Sequence, residues 1–214
     1  ASVKKQFQHL AAGFKVYGVN RNTLPKVCIA YPKSKEEQSK IAEILMKWDE
    51  AIELYQKQIE ALKKLKKAYL SVMFPKKGET TPKYRFKGFT DPWEQRKLGE
   101  VSTIVGGGTP STKNSAYWGG TMNWYSPAEI DDQIYVNNSQ RKITELGLSK
   151  SSASFLPIGT VLFTSRAGIG KTAILGKKAC TNQGFQSIIP NKKELDSYFV
   201  YTMTAQLKRY GETH

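Results

Sequence analysis

The segment from Ser165 to Thr172 comes closer to a catalytic motif than any other part of the chain. Its Gly170-Lys171-Thr172 resembles the end of a phosphate-binding loop, in which backbone amides and a lysine hold nucleotide phosphates. That motif also needs a glycine where Ser165 stands and a helix after Thr172, whereas Ala173-Ile174-Leu175 has the apolar pattern of a strand. We therefore expect a β-hairpin whose tip exposes Arg166 and Lys171. An ATP-hydrolysing enzyme is a third hypothesis, and it rests on Gly170-Lys171-Thr172 alone.

Other arrangements that could do chemistry are scarce. Gly106–Pro110 is glycine-rich, but its proline prolongs a loop where a dinucleotide site requires the start of a helix. Glu129, Asp131 and Asp132 cluster on a polar turn, where solvated side chains are the simpler interpretation. With two histidines and two distant cysteines, a histidine-based triad, a histidine-rich metal site and a zinc site are poor fits. No catalytic residue, metal site or cofactor of its own is predicted for this chain.

The polar loops of the second half hold the residue types that read base edges in DNA, namely Arg, Lys, Asn and Gln. Six of these side chains are candidates for DNA contact: Arg166, Lys171, Lys113, Asn114, Arg141 and Lys142. Tyr117 and Trp118 lie among them and are at least as suited to packing a core as to touching DNA. Gln183 is suited to capping a turn.

The charge of the chain favours a polyanionic partner. Lys and Arg number 33 against 18 Asp and Glu, which gives a formal net charge of +15. Each phosphate that a cation neutralises releases counterions, so double-stranded DNA is the expected ligand. No apolar run approaches the ~18 residues of a membrane span, and no secretory signal is visible, so we expect no membrane partner and a cytoplasmic location. The alternative hypothesis is a basic coiled-coil adaptor that binds nucleic acid without sequence specificity.

The elements that must position these residues begin with a long helix at 34–74. Ser34 and Glu37 form a capping-box pattern, and Pro75 prevents helix beyond Phe74. Apolar side chains between these limits recur in alternating steps of four and three residues, interrupted at Lys66. They form the seam of the helix, namely Ile41, Leu45, Trp48, Ile52, Tyr55, Ile59, Leu62, Tyr69 and Met73. A helix of ~55 Å with one apolar seam needs a partner helix, whereas a helix lying on a globular domain is usually shorter with a wider stripe.

Three further segments complete the organisation. Residues 1–33 predict a helix end and two strands, Phe14–Val19 and Val27–Tyr31, that cannot form a core alone. Residues 75–96 predict a linker, and residues 97–214 a mostly β domain that ends with a helix at Leu195–Tyr210. The predicted strands of that domain are Val101–Val105, Thr121–Tyr125, Ile134–Val136, Gly159–Thr164, Thr172–Leu175 and Ser187–Pro190.

Several short motifs, in this order, resemble the specificity (S) subunits of type I restriction–modification systems over essentially the whole chain. The pieces are Glu36-Glu37-Gln38-x-x-Ile41-Ala42, Lys97-Leu98-Gly99-Glu100-Val101, Gly107-Gly108-Thr109-Pro110, Tyr117-Trp118-Gly119-Gly120, Ser126-Pro127, Leu156-Pro157-x-Gly159-Thr160-Val161-Leu162, Ser165-Arg166-x-Gly168-x-Gly170-Lys171 and Thr181-Asn182-Gln183-Gly184-Phe185. The resemblance implies target recognition domains joined by long antiparallel helices, which together recognise a split DNA site. It also implies that the S subunit has no active site. Methyltransferase (M) subunits bring S-adenosylmethionine and modify adenine, and a restriction (R) subunit hydrolyses ATP with Mg²⁺ and cuts.

One spacer helix and one recognition domain look like half of such a subunit. We therefore expect either a fragment or two half-subunits that complete each other as a homodimer through the long helix. The predicted fold class is α/β, with a long coiled-coil-forming helix plus a mostly β target recognition domain with flanking helices. The predicted function is sequence-specific DNA recognition that directs M and R subunits to a split site.

Overall fold

The computed structural model describes residues 21–22, 24–166 and 168–211, with side chains as far as Thr204. The chain divides into two compact units, Ala1–Tyr69 and Leu70–His214. The predicted strand Phe14–Val19 lies outside the described residues. The predicted strand Val27–Tyr31 is wrong, because this stretch follows a single 3-10 turn, Leu24–Lys26, without regular structure. A strand requires a neighbour to receive its backbone hydrogen bonds, and no strand pairing is recorded here among the described residues.

The long helix α1 (Lys35–Val72) confirms the helix that the heptad pattern predicted. Its predicted N-cap is in place, since the Ser34 hydroxyl accepts a hydrogen bond from the Glu37 amide at 3.3 Å. The helix ends two residues before the predicted Phe74. The Val72 carbonyl accepts from the Tyr84 amide at 2.8 Å and so leaves the helical hydrogen-bond series. Met73, the last seam residue, therefore lies beyond the helix.

Within its described residues, the second unit holds eight strands and three α-helices. The strands are β1 (Ser102–Gly106), β2 (Trp118–Tyr125), β3 (Tyr135–Val136), β4 (Arg141–Ile143), β5 (Val161–Phe163), β6 (Thr172–Leu175), β7 (Ala179–Thr181) and β8 (Gln186–Pro190). The helices are α2 (Leu98–Val101), α3 (Glu145–Ser149) and α4 (Ser197–Gly211). One sheet has the order β1-β8-β5-β6-β3, and the other has the order β4-β2-β7. Pairing is antiparallel except for β3 with β6 and β2 with β7.

The core of this unit lies on both sheets. All four residues of β6 and all three of β7 are buried, so these strands are covered on both faces. Tyr125, Leu162 and Phe185 belong to the main apolar cluster, while Trp124 and Ile143 anchor a second one beneath β2 and β4. Burying such side chains contributes about 1.5–3 kcal/mol each. The loops of the second unit are therefore mounted on a packed scaffold.

The six predicted strands are all present, with ends shifted by up to three residues. β4, β7 and α3 were not predicted, because β4 and β7 are placed by long-range pairing with β2 and α3 has too few residues to show a helical period. α4 begins at Ser197 rather than Leu195, since the Asp196 carboxylate accepts from the Phe199 amide at 2.9 Å and so caps the helix.

Aromatic contacts fix the segment predicted as a linker. The Phe74 ring stacks on Phe199 with centroids 5.4 Å apart, and Trp93 lies edge-on to Phe74 at 5.8 Å. The Trp93 amide also donates to the Thr80 carbonyl at 2.7 Å. Residues 75–96, predicted as a linker, thus form part of the second unit.

Candidate nucleic-acid interface

Arg141 lies on an aromatic platform at the edge of the three-stranded sheet. Its guanidinium carbon is 3.6 Å from the centroid of the Trp118 ring and 5.4 Å from that of Trp124. The two tryptophans meet edge to face at 5.1 Å. Each indole N–H is bound in turn, Trp118 to the Ser111 carbonyl at 3.1 Å and Trp124 to that of Gly108 at 2.9 Å. The platform holds the guanidinium plane in one orientation while Arg141 stays exposed.

Three more candidates lie beside this platform. Asn114 is exposed, and its side-chain oxygen accepts from the Ala116 amide at 3.0 Å, which caps the short 3-10 helix that leads into β2. Lys113 is exposed in the turn closed by the Asn114 amide and the Ser111 carbonyl. Lys142 is half-buried on β4, opposite Asn123 of β2. The structure therefore brings four of the six predicted residues to one edge, and it gives Asn114 a structural contact as well.

The other two candidates lie on the β5–β6 hairpin, as expected. β5 and β6 pair antiparallel, and the residue after Lys171 begins a strand, so this loop lacks the helix of a nucleotide phosphate site. Arg166 is exposed, whereas Lys171 is only half exposed. The sequence thus predicted the hairpin correctly but overstated the exposure of Lys171.

The loop at residues 182–184 contacts both the β5–β6 hairpin and the glycine-rich segment. The Ser165 amide donates to the Gly184 carbonyl at 2.8 Å, and the Thr109 hydroxyl donates to the Gln183 side chain at 2.6 Å. Gly107 approaches so closely that a Cβ there would overlap the Asn182 carbonyl. The glycine run therefore serves close backbone packing, which explains why it resembles a nucleotide loop without being one.

Sequence reasoning missed two features of this surface. The first is the contact between Trp118 and Arg141. The sequence shows aromatic and basic residues near β2, but it does not show which of them are in contact. The second is the contact of Gln183 with Thr109, which are 74 residues apart. Such a long-range contact leaves no local signal in the sequence.

Glu129 is not the solvated side chain that the sequence suggested. Its carboxylate accepts from the Ser126 amide at 2.9 Å and from the Gln140 amide at 2.7 Å, so it fixes the turn before β4. Burial, followed by the nearby Glu129 charge, raises the pKa of Tyr125 to about 12. Asp131 and Asp132 are exposed, as expected. Among the described residues no group of His, Cys, Asp and Glu could hold a metal ion.

The seam of α1 lies in water. Its eight helical residues, from Ile41 to Tyr69, are each between 44% and 66% exposed. None of the residues of α1, all of which the structure describes, is buried. No helix in the described part of the chain is long and apolar enough to cross a membrane.

Residues 90–213 match the family of type I restriction modification DNA specificity domains. The chain belongs to this family. It is 39% identical over 123 residues to the type I restriction enzyme MjaIX specificity subunit of Methanocaldococcus jannaschii, covering 54% of this chain and 28% of that protein. It is 27% identical over 196 residues to the putative MjaX specificity subunit of the same organism, covering 89% and 44%. With the EcoR124I/EcoR124II specificity subunit of Escherichia coli it shares 29% identity over 113 residues, covering 50% and 28%.

Solved structures show the same fold. The crystal structure of the HsdS subunit from Thermoanaerobacter tengcongensis matches 97% of this chain with a TM-score of 0.52 at 20% identity. A chain from a structural study of the assembly and conformational transition of a type I R-M system matches 96% with a TM-score of 0.56, also at 20% identity. The chain spans half the length of each of these chains and less than half of the curated relatives. The predicted fold class is confirmed.

Proposed function

We propose that this specificity domain recognises one half of a split DNA site for a type I restriction–modification complex. The observation that carries the proposal is the family match over residues 90–213. The surface agrees with it, because two exposed cations lie on elements that other contacts hold in place. Arg141 lies on two tryptophans, and Arg166 lies on the β5–β6 hairpin. Rigid mounting matters, since hydrogen-bond readout of bases requires donors at fixed positions.

Each of the six candidate side chains has a proposed task. Arg141 and Arg166 have planar guanidinium groups that suit bidentate contact with guanine or phosphate. Lys171, Lys113 and Lys142 suit phosphate contact, which sets register without reading sequence. Asn114 already caps a helix through its oxygen, so its amide donor is the group left for DNA.

The long helix α1 is proposed to pair with a second helix through its seam. Leaving eight apolar side chains 44–66% exposed is costly, and a helix with a matching seam would cover them. The partner we favour is a second copy of the chain, in antiparallel orientation. That dimer would have two-fold symmetry and would read identical half-sites.

The enzymatic steps are assigned to partner subunits. In this proposal M subunits contribute S-adenosylmethionine and adenine methylation, and an R subunit contributes ATP hydrolysis with Mg²⁺ and cleavage. The chain itself would supply sequence recognition in the cytoplasm, where such a complex meets DNA.

Co-purification with a candidate M subunit, followed by mapping of methylated adenines, tests the proposal. We expect methylation within one bipartite sequence and a methylation pattern that shifts or vanishes when Arg141 and Arg166 are both changed to Ala. With about 6–8 phosphates contacted, log affinity should fall with log salt at a slope of about −5 to −7. Salt-sensitive binding without any sequence preference would instead support the basic adaptor. A flat salt response would reject DNA as the ligand.

A further inference from the structure

The tip of the β5–β6 hairpin holds one apolar side chain in water on a fixed backbone. Ile169 is 49% exposed there. The Thr164 hydroxyl donates to the Gly168 carbonyl at 2.6 Å and accepts from the Lys171 amide at 2.9 Å. The Gly170 amide closes the turn on the Thr164 carbonyl at 3.0 Å. Three hydrogen bonds to one threonine thus fix the backbone on both sides of Ile169.

Two glycines give the tip its shape. Gly168 and Gly170 have φ values of +96° and +88°, which residues with a Cβ rarely adopt. They stand on either side of Ile169, and the Ser165 amide ties the base of the tip to Gly184 at 2.8 Å. Ile169 belongs to none of the core clusters formed by the described residues, so this backbone leaves the isoleucine side chain half exposed.

The charges beside the tip indicate what Ile169 meets. Arg166 and Lys171 flank it in the sequence, and both side chains suit contact with backbone phosphates. The major groove of B-DNA admits a two-stranded β-ribbon, and the apolar group displayed on its floor is the 5-methyl group of thymine. Ile169, which lies between the two cations in the sequence, has a branched aliphatic side chain that suits contact with this methyl group.

We propose that Ile169 packs against the 5-methyl group of one thymine in the major groove of the target half-site. This inference rests on the proposed function and deepens it by adding an apolar specificity contact to the polar ones. The hairpin then reads one base pair through a methyl group while Arg166 and Lys171 hold the adjacent backbone.

Removal of single methyl groups from the DNA tests the contact. After the target sequence has been mapped, each thymine in turn is replaced by deoxyuridine, and affinity is measured for the chain in complex with its M subunit. We expect one position at which the wild type loses about fourfold in affinity, which is the effect of one methyl group leaving a buried contact. Ile169→Ala should lose a similar factor on the natural site and no further affinity on the deoxyuridine site.

A matched control is Ile158→Ala, because Ile158 is 54% exposed on the turn at the opposite end of β5. This variant should respond to deoxyuridine as the wild type does. Thermal melting of all three proteins checks that the second unit remains folded. Restoring the methyl group with 5-methylcytosine at a cytosine-substituted site should recover part of the loss for the wild type and for Ile158→Ala, but not for Ile169→Ala.

Three outcomes overturn the inference. If no thymine position responds while sequence-specific binding is intact, Ile169 does not read a methyl group, although the proposed function stands. If Ile169→Ala still responds to deoxyuridine, another residue reads that methyl group. A rise in 2-aminopurine fluorescence that depends on Ile169 would show insertion between bases instead. Failure of the proposed function would be distinct, because the wild type would then show no preferred sequence at all.

Discussion

The long helix and the sheet unit treat their apolar residues in opposite ways. None of the 38 residues of α1 is buried, although its seam carries isoleucine, leucine, tryptophan and tyrosine. In the second unit, Val161, Leu162 and Leu175 are completely buried within one chain. The sheet unit therefore buries its apolar residues within the chain, whereas the seam of the helix stays exposed for the helix pairing proposed above.

The polar contacts of the two regions differ in the same sense. α1 carries three exposed i,i+4 ion pairs, which contribute about 0.3–0.5 kcal/mol each. The sheet unit uses buried or bracing contacts such as Trp124 to Gly108 and Thr172 to Thr204, at 2.9 and 3.0 Å. Association should therefore depend on the helix, and the geometry of DNA contact on the sheet unit.

Charges placed in the seam should produce the largest effect. Ile52→Glu with Ile59→Glu would put two carboxylates into the proposed helix pairing, and desolvating them without partners costs several kcal/mol. We expect complete loss of the dimer at tens of micromolar by light scattering, with the sheet unit still folded.

Lys57→Glu with Lys64→Glu provides the control for this experiment, since both residues lie on the opposite face of α1. That variant should still dimerise. A wild-type chain that is monomeric at tens of micromolar with an intact helix would disprove self-pairing, and the seam would then have to pair with a different helix.

The two cysteines report on the two compact units separately. Burial raises the pKa of the Cys180 thiol to about 11, so at pH 8 roughly one thiol in a thousand is ionised. Cys28 is exposed. Iodoacetamide should label Cys28 within minutes and Cys180 only after denaturation, as read by mass spectrometry of the peptides. Equal labelling rates would mean that the sheet unit opens readily.

The same raised pKa gives a direction for stability at high pH. The unfolded chain ionises this thiol before the folded chain does. The stability that the protonated Cys180 contributes is therefore present below about pH 9 and is lost as the pH rises towards about 11. Cys180→Ala should flatten this part of the profile.

The helix could be predicted from sequence because its signals are local. Ser34, Glu37 and the heptad seam each act within about one turn, so the start of α1 was predicted to within one residue. Its end depends on Tyr84, twelve residues beyond Val72, and was predicted less well. β4 and β7 gave no local pattern, because each takes its place from pairing with β2.

The residues of the candidate site were likewise predicted only where the signal was local in the sequence. The hairpin with Arg166 and Lys171 was predicted because two short apolar runs lie close together in the sequence with glycines between them. The Arg141 platform was not, because Trp118 lies 23 residues away and meets Arg141 only through β2–β4 pairing. Residue types suggested DNA contact, but tertiary contacts decide how each side chain is held.

Equal truncations in the two regions should differ by several kcal/mol. Leu162→Ala removes a completely buried side chain and should lower the free energy of unfolding by about 2–5 kcal/mol. Leu54→Ala, at a position 56% exposed and off the seam, should change it by less than about 0.5 kcal/mol. Urea denaturation followed by tryptophan fluorescence measures both. Similar losses would show that α1 is covered in solution on this face too.

Changes at the hairpin tip should weaken DNA binding without unfolding the sheet unit. Arg166→Ala and Lys171→Ala should each cost about 1–3 kcal/mol if they contact bases, with relaxed preference at one base pair. A phosphate contact would weaken all sequences alike. Lys192→Ala is the matched control, because it removes one exposed cation at the opposite end of β8. If neither tip variant differs from that control, the hairpin faces away from DNA.

The smallest predicted effect tests whether the contact of Arg141 with Trp118 matters in addition to the positive charge of Arg141. Arg141→Lys keeps the cation but loses the flat guanidinium that lies on Trp118, and such cation–π contacts contribute about 0.5–1 kcal/mol at exposed sites. We expect a two- to fivefold loss of DNA affinity, compared with a larger loss for Arg141→Ala. Arg141→Lys should also lower the unfolding free energy by no more than about 1 kcal/mol, the size of the lost contact, because Trp118 keeps its edge-to-face contact with Trp124. If the lysine variant loses as much as the alanine variant, the guanidinium makes a directional contact with DNA that an ammonium cannot replace. If both bind as the wild type does, Arg141 only covers the tryptophans, and the reading surface must be sought at the hairpin alone.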